Sequence, residues 1–370
     1  MQVGILTMHR VKNYGSFLQA YALKRVIETM GHEVTFRDFH DGLPRHLGEK
    51  VIAPSLAKKI AKIPYLISHL PTTISRHTFR YHFNSSFERD YWPVLGVSAT
   101  NNYNLQADMM VIGSDEVFNY CQNQRFGYVP CLFGHQIAAK SIVSYAASAG
   151  YANWNDVIAD NMVDELGSGF KKMRHISVRD ENTRRLVEVC TGQSPTMVID
   201  PTLIYDFDAH VPQQRVVKGH YLLIYAYEGR MDSQREIDAV RTFASKHQLK
   251  VVSIGAYHAW CDENLVVSPF EMLNVFKEAA YIVTETFHGS IFAMKFGKQF
   301  AAFVRSDNPL GSNTNKLTYL LHQFGMESRI VNMPEALENV LLAQTPTHVF
   351  NERLAPLREQ SLHFLKQALQ

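Results

Sequence analysis

One segment of this chain combines an ionisable side chain with a turn suited to an anion. Residues 284–290 read Thr-Glu-Thr-Phe-His-Gly-Ser and lie between a predicted strand and a predicted helix. Gly289 would let the backbone approach a ligand closely. Ser290 and the amides of the first helical turn would offer donors to a phosphate or carboxylate at the positive end of the helix dipole. His288 could give that ligand a proton, although it could also simply cap or pack the turn.

Two charged residues follow other predicted strands. Arg179 carries a planar guanidinium that suits bidentate binding of a carboxylate or phosphate. The competing interpretation of Arg179 is a surface ion pair with Asp180, Glu181 or Asp200. Asp115 could orient or deprotonate a hydroxyl, but an Asp at this position is also a common helix N-cap.

A further group of neutral polar residues lies near the N-terminus. Asn13, Tyr14, Gly15, Ser16 and Gln19 follow the first predicted strand. Their side chains offer hydrogen bonds of the kind that hold sugar hydroxyls, with Gly15 in the turn. Asn-Tyr-Gly is also ordinary turn chemistry, so these residues are weak indicators one by one.

The motifs of several other function classes do not occur. The sequence has neither Gly-x-Gly-x-x-Gly nor a Gly-Lys-Ser/Thr phosphate loop, and no Gly-x-Ser-x-Gly elbow. No pair of His at helical spacing with a nearby carboxylate looks like a zinc site, and the four Cys residues form no close pair. Asp206 and Asp208 have metal-ligand spacing but fall in a predicted linker. We therefore expect no metal site and reduced thiols.

The candidate residues are distributed over alternating strand and helix patterns. Predicted strands lie at residues 3–7, 34–36, 107–112, 141–147, 175–178, 197–199, 221–227, 250–254, 281–284 and 299–303. Helical spacing separates most of them and predicts parallel crossovers. This pattern predicts an α/β protein with two facing Rossmann-like domains, whose ligands bind beyond the carboxyl ends of the strands.

The expected domains are residues 1–208, residues 219–345, and a final helix within 346–370 that packs back on the first half. Residues 51–87 contain Lys58, Lys59, Lys62, Arg76 and Arg80 but no Asp or Glu. Three prolines predict that this segment is an insertion of short helical pieces. It is either a solvated basic face or a surface for anionic lipid.

Composition sets further limits. A chain of 370 residues fits two domains, and a net charge of +2 gives no reason to expect nucleic acid binding. The N-terminus does not resemble a secretory signal, and no apolar run approaches the roughly 20 residues that span a bilayer. The expected location is therefore the cytoplasm, with the inner membrane face as a further option.

Ordered blocks of the sequence resemble the polysaccharide pyruvyl transferase family. Residues 113–119 (Gly-Ser-Asp-Glu-Val-Phe-Asn) are similar to its Gly-Ser-Asp-Gln-Val-Trp-Asn signature, and residues 286–290 match its Phe-His-Gly block. The other similar blocks are residues 4–7, 13–15, 18–23, 177–180, 200–202 and 315–325. Two positions depart from the pattern, because many members carry Arg where this chain has Thr286 and Lys316.

The resemblance implies a glycosyltransferase-B-like architecture, with the acceptor on the first domain and the donor on the second. It also implies transfer of a pyruvyl group from phosphoenolpyruvate to sugar hydroxyls, commonly as a cyclic ketal. The acceptor would be a cell-surface polysaccharide, such as an exopolysaccharide or capsule, or its lipid-linked precursor. Phosphoenolpyruvate would be a co-substrate, and no cofactor is expected. A second copy of the chain is an open alternative among the partners.

The resemblance assigns roles to the candidate residues. His288, Arg179 and Asp115 are expected to be catalytic. The expected donor-binding residues are Arg179, Thr286, His288, Gly289, Ser290, Asn315 and Lys316. The expected acceptor-binding residues are Asn13, Tyr14, Gly15, Ser16, Gln19, Ser114 and Asn119.

Two other functions compete with pyruvyl transfer. A glycosyltransferase could bind a nucleotide sugar in the same architecture, with its diphosphate at His288-Gly289-Ser290. Against this, Ala293 stands eight residues after Glu285, where many retaining enzymes have a second Glu. A non-catalytic subunit of an envelope-polymer pathway is the other alternative.

Overall fold

Each half of the chain is built on a six-stranded parallel sheet. The computed structural model describes residues 1–43, 45, 70–122, 126–304 and 314–370. In the first half the strands are β1 (Gln2–Leu6), β2 (Glu33–Phe36), β3 (Ala107–Asp115), β4 (Ala139–Ala147), β5 (Ser177–Val178) and β6 (Thr196–Met197). They are ordered β2-β1-β3-β4-β5-β6. β1 and β3 are buried over most of their length, as expected for parallel strands covered on both faces.

Helices connect these strands and flank the sheet. They are α1 (Tyr14–Thr29), α2 (Leu70–Ser86), α3 (Trp92–Leu95), α4 (Trp154–Ala159), α5 (Val163–Phe170), α6 (Glu181–Thr191) and α7 (Pro201–Ile204). A π-helical turn, Phe87–Tyr91, joins α2 to α3. Asn13, Asp180 and Asp200 accept backbone hydrogen bonds as the N-caps of α1, α6 and α7.

The second half repeats the design. Its strands are β7 (Tyr221–Tyr225), β8 (Lys250–Ile254), β9 (Glu263–Leu265), β10 (Tyr281–Thr284), β11 (Gln299–Phe303) and β12 (Ile330–Val331), ordered β12-β11-β10-β7-β8-β9. Its helices are α8 (Gln234–Lys246), α9 (Pro269–Glu278), α10 (Phe287–Lys295), α11 (Thr314–Gln323), α12 (Leu337–Leu342) and α13 (Thr347–Ala368). The predicted α/β class with two Rossmann-like sheets is confirmed.

Several predicted elements differ from the structure. The helical spacing of residues 152–170 predicts a single helix, but the structure has two, because Asn161 between them has a φ of 56°, which Asn tolerates better than most residues. Pro71 does not cut a helix but lies in the first turn of α2, where its missing N–H costs nothing. Pro54, Pro64 and the three lysines of the basic insertion lie outside the described residues. β9 and β12 were not predicted because they are too short for a clear pattern.

The two halves share an apolar core. One cluster of buried side chains includes Phe17 of α1 and Phe276 of α9. Tyr14 and Tyr91, from the first half, both donate hydrogen bonds to the carbonyl oxygen of Val267, at 2.6 and 3.0 Å. The final helix, α13, packs on the first half, where the Ser361 hydroxyl accepts a hydrogen bond from the backbone N–H of residue 199 at 3.0 Å. Among the described residues, no helix is both long and apolar enough to cross a bilayer.

Candidate active site between the two halves

The predicted anion turn is the first turn of α10. The sequence pattern predicts that this helix starts at Ser290, but it begins three residues earlier, at Phe287. It does so because the hydroxyl of Thr286 caps the helix by accepting a hydrogen bond from the Gly289 amide at 3.0 Å. The Ser290 amide donates to the Thr286 carbonyl at 3.2 Å. The amides of Gly289 and Ser290 are therefore engaged and are not the free donors that were predicted. Helix geometry leaves the amides of Phe287 and His288 for a ligand.

Gly289 packs closely against its neighbours. A Cβ at this position would lie 2.2 Å from Oγ1 of Thr284 and 2.8 Å from Cδ1 of Tyr225. Neither distance leaves room for a methyl group. Close packing of α10 on β10 is therefore one reason for a glycine here, and the approach of a ligand to its backbone stays a prediction.

His288 lies against the first half of the chain. Its imidazole contacts Gly15 in the first turn of α1, where a Cβ would be 2.3 Å from Nδ1 of His288. Its Nε2 is 3.6 Å from Oδ2 of Asp200, a separation longer than a hydrogen bond. That nitrogen has no hydrogen-bond partner among the described residues. His288 therefore sits where α1, α7 and α10 meet.

Arg179 is buried beneath α10 and is 3% exposed. Its Nη1 donates to Asp200 at 2.6 Å, and its Nη2 donates to Asp115 at 3.3 Å. The ring of Phe287 covers the guanidinium at 4.3 Å. The predicted bidentate capture of a donor by this side chain is not the observed arrangement, and the competing ion pair with Asp200 is. Only Nε lacks a partner in the described part of the chain.

Asp200 is a central residue that the sequence analysis treated only as an ion-pair partner. Its Oδ1 accepts from the amide and hydroxyl of Thr202, at 3.0 and 2.7 Å. Burial alone would raise the pKa of Asp200, but His288, Arg179 and Thr202 outweigh burial and hold this pKa well below its ordinary value. The carboxylate therefore stays ionised beside the imidazole. Its position after the predicted strand 197–199 was the available indication.

Asp115 and Ser16 meet at the rim of the first sheet. β3 ends at Asp115, whose φ of 77° places it in the left-handed region. The Ser16 hydroxyl donates to Oδ2 of Asp115 at 2.9 Å, while Arg179 contacts the other oxygen. Asp115 is not a helix N-cap, and its side chain is 13% exposed. These partners fix a carboxylate at the carboxyl end of a strand, next to Arg179.

Four of the predicted acceptor-binding residues form hydrogen bonds within the protein. Gln19 and Ser114 have no exposed surface and hydrogen-bond to each other. The Tyr14 hydroxyl contacts Val267 instead of the cleft, and burial raises the pKa of this phenol well above its usual value. Asn13 accepts from the Gly15 amide at 2.8 Å as the cap of α1. In the structure these side chains hold the surrounding loops in place, and their contact with an acceptor stays a prediction.

Three predicted binding residues remain: Lys316, Asn119 and Asn315. Lys316 forms an ion pair with Glu116, so that the second half contacts the first. Asn119 is 3% exposed and donates to Oε2 of Glu116 at 3.3 Å. The side chain of Asn315 lies outside the described part of the structure. Sequence analysis assigned no role to Glu116, although its place in the Gly-Ser-Asp-Glu block was visible.

The described residues of the site do not form an arrangement typical of a metal centre. Among the described residues, no group of three or more His, Cys, Asp and Glu side chains could hold a metal ion. The four cysteines are free thiols. The groups that the site offers are an imidazole, a guanidinium, an ammonium and several carboxylates, which suit proton transfer and anion binding.

Solved structures share this fold. The UDP-GlcNAc 2-epimerase of Methanocaldococcus jannaschii, in complex with UDP-GlcNAc and UDP, matches with a TM-score of 0.54 and 9% identity over 100% of this chain and 99% of its own. S. aureus MnaA with UDP matches with a TM-score of 0.47 and 10% identity, over 96% and 90%. A mutant Thermobaculum terrenum O-GlcNAc transferase matches all of this chain with a TM-score of 0.43 and 11% identity. This chain spans 64% of that transferase.

The expected glycosyltransferase-B-like architecture is thereby confirmed. No protein of curated function matches the chain in sequence. The family model described as polysaccharide pyruvyl transferase matches residues 13–307, a range that contains His288, Arg179 and Asp115. Because this range is most of the molecule, the chain belongs to the polysaccharide pyruvyl transferase family.

Proposed function

We propose that this protein transfers a pyruvyl group from phosphoenolpyruvate to two hydroxyls of a sugar and forms a cyclic ketal. The sugar would belong to a cell-surface polysaccharide or its lipid-linked precursor. The observation that carries the proposal is the meeting of His288, Arg179 and Asp200 at the amino end of α10, in a member of this family. An imidazole from one half lies against an ionised carboxylate of the other, beside a helix terminus suited to an anion.

The proposed chemistry needs one acid, one base and an anion site. Protonation of the donor's methylene carbon makes C2 electrophilic, and a sugar hydroxyl forms a C–O bond to C2 and gives up its proton. Phosphate then leaves with the electron pair of its C–O bond, and the second hydroxyl closes the ring and loses its proton. One of the two released protons restores the acid, and the other leaves with phosphate or solvent.

We assign the acid to His288 and the base to Asp115. Asp200 orients the imidazole, and Arg179 links Asp200 to Asp115 so that acid and base keep a fixed spacing. The amides at the start of α10 and Lys316 would bind the donor's phosphate or carboxylate. In this assignment Arg179 is a positioning residue, since both of its Nη atoms are occupied by carboxylates.

The first test is thermal unfolding of the whole chain with phosphoenolpyruvate, phosphate, pyruvate and a panel of nucleotide sugars. A ligand at 100 times its Kd stabilises the folded state by about 2.7 kcal/mol. We expect stabilisation by phosphoenolpyruvate beyond that by phosphate or pyruvate. Stabilisation by a nucleotide sugar alone would favour the alternative of sugar transfer, a ligand class present in the M. jannaschii epimerase complex.

The second test is the loss of the acid. His288→Ala should lower acceptor-dependent phosphate release by about 10²–10⁴-fold, the usual contribution of a positioned acid. His258→Ala is the matched control, because His258 is also buried and lies 3.3 Å from a carboxylate, Asp232. Full activity in His288→Ala, or equal losses in both variants, would remove His288 from the mechanism.

A further inference from the structure

An ion pair crosses the cleft beside the proposed active site. Glu116 directly follows Asp115 in the first half, and Lys316 lies in α11 of the second half. Their side chains are 20% and 15% exposed, so the pair is not sealed in the core and a solute can reach it.

The first half holds Glu116 in place without help from Lys316. Asn119 donates to Oε2 of Glu116 at 3.3 Å. Gly150 packs against the same oxygen: a Cβ at position 150 would lie only 2.3 Å from Oε2 of Glu116. Burial would raise the pKa of Glu116, but Lys316, Arg179 and Asn119 outweigh it and lower this pKa, so the group is an anion at neutral pH. The carboxylate is therefore a fixed negative charge in the cleft.

Carboxylates already pair with Arg179 and Lys316, two cations among the described residues of the site. Arg179 interacts with Asp200, Asp115, Asp180 and Glu116, all of which raise its pKa. Its guanidinium is buried under Phe287 and cannot turn toward a ligand without breaking two ion pairs. Lys316 is more exposed, and an ammonium on a flexible stem changes partners more easily than a guanidinium. Lys316 is thus the cation that an incoming anion can recruit.

We propose that Glu116 sets the anion affinity of this cleft by holding Lys316 until a phosphate- or carboxylate-bearing donor displaces it. The proposal rests on the proposed function only in taking the donor to be an anion. Glu116 limits binding in two ways, because it competes for the ammonium and repels the ligand's charge. Its removal should therefore tighten anion binding, which is the opposite of what loss of an ordinary binding residue does.

The test is calorimetric titration of the full chain with phosphoenolpyruvate and, separately, with inorganic phosphate. Glu116→Gln keeps the shape of the side chain and an oxygen for Asn119, and it should bind both anions about tenfold more tightly than the wild type at low salt. Lys316→Met should bind them more weakly, and the gain from Glu116→Gln should be smaller in the Lys316→Met background, where only the repulsion between Glu116 and the ligand is relieved. Glu335→Gln is the matched control, since it removes an equal charge from an exposed ion pair with Arg235.

The outcomes separate the two proposals. Equal or weaker anion binding by Glu116→Gln, or no measurable binding of either anion, overturns the role of Glu116. A gain that is equally large without Lys316 overturns it as well. If phosphate binds more tightly to Glu116→Gln while phosphoenolpyruvate shows no preference over phosphate, the role of Glu116 stands and the proposed donor fails. If Glu116→Gln unfolds, Glu116→Ala carries the same expectation.

Discussion

Replacing Gly15 by Ala tests whether His288 works where the structure places it. The new Cβ would lie 2.3 Å from Nδ1, 2.6 Å from Cγ and 2.9 Å from Cβ of His288, whereas ordinary contacts begin at 3.4 Å. The imidazole would have to retreat by about 1 Å. Because its own Cβ is also too close, rotation of the ring does not relieve the overlap, and the first turn of α10 must move as well.

The expected cost follows from this displacement. Overpacking of this kind lowers the free energy of unfolding by about 1–3 kcal/mol. Ala is better than Gly within a helix by up to about 1 kcal/mol, which offsets part of the loss. Turnover should fall more steeply, by about 10²-fold, since a shift of 1 Å in a catalytic group can cost that much.

Urea unfolding and acceptor-dependent phosphate release measure the two effects. The control is the same substitution in a His288→Ala background, where two of the three close contacts are gone and the 2.9 Å contact between Cβ atoms is left. There the stability cost of Gly15→Ala should drop by more than half. Wild-type stability and turnover in Gly15→Ala, or an equal cost in both backgrounds, would refute the placement of His288 against α1.

Three other perturbations have defined outcomes. Arg179→Met should lower the free energy of unfolding in urea by about 3–5 kcal/mol, because it leaves the buried Asp200 without its ion-pair partner; a loss below about 1 kcal/mol would contradict that pair. Burial lowers the pKa of Lys295 from 10.5 to about 8, so the unfolded chain binds more protons between these values and this lysine's contribution to stability rises with pH. The stability of the wild type relative to Lys295→Met should therefore grow between pH 7.5 and 9.5, and a constant or shrinking difference would argue against the lowered pKa. Helix α2 exposes Ile74 and Tyr81, so Tyr81→Ser should weaken a salt-sensitive binding to anionic vesicles, measured by co-sedimentation; no binding of the wild type at low salt would favour a solvated face.

The fold could be predicted from the sequence because short runs of neighbouring residues determine where its strands and helices lie. β8, β10 and β11 begin and end at the predicted residues, since each is a short run of β-branched and apolar side chains bounded by polar or helical segments. The meeting of Asp115, Arg179 and His288 was also accessible. Carboxyl ends of parallel strands gather at one edge, and two facing sheets bring two such edges together.

The hydrogen-bonding and packing partners of the site residues could not be predicted from the sequence. Gln19 and Ser114 have the same hydrogen-bonding groups whether they face a ligand or each other, and only tertiary packing decides between the two. The helix start at Phe287 likewise depends on the Thr286 hydroxyl turning back to cap it, and this cap occupies the amides predicted to bind an anion. Glycine at position 15 looked like turn chemistry, but its small size is needed by an imidazole more than 270 residues away in sequence.

α10 is attached to the first half at both of its ends, and this explains how a residue of one domain keeps its place in the other. At the amino end, His288 lies against Gly15 and Asp200. At the carboxyl end, Lys295 donates to the carbonyl oxygens of Thr202 and Tyr205, at 2.6 and 2.8 Å. The short helix α7 and its caps include Asp200, Thr202 and Tyr205. Both ends of α10 therefore contact this one helix. A helix is stiff over the roughly 10 Å between these ends, and loss of the lysine contact should therefore act on the imidazole through α10.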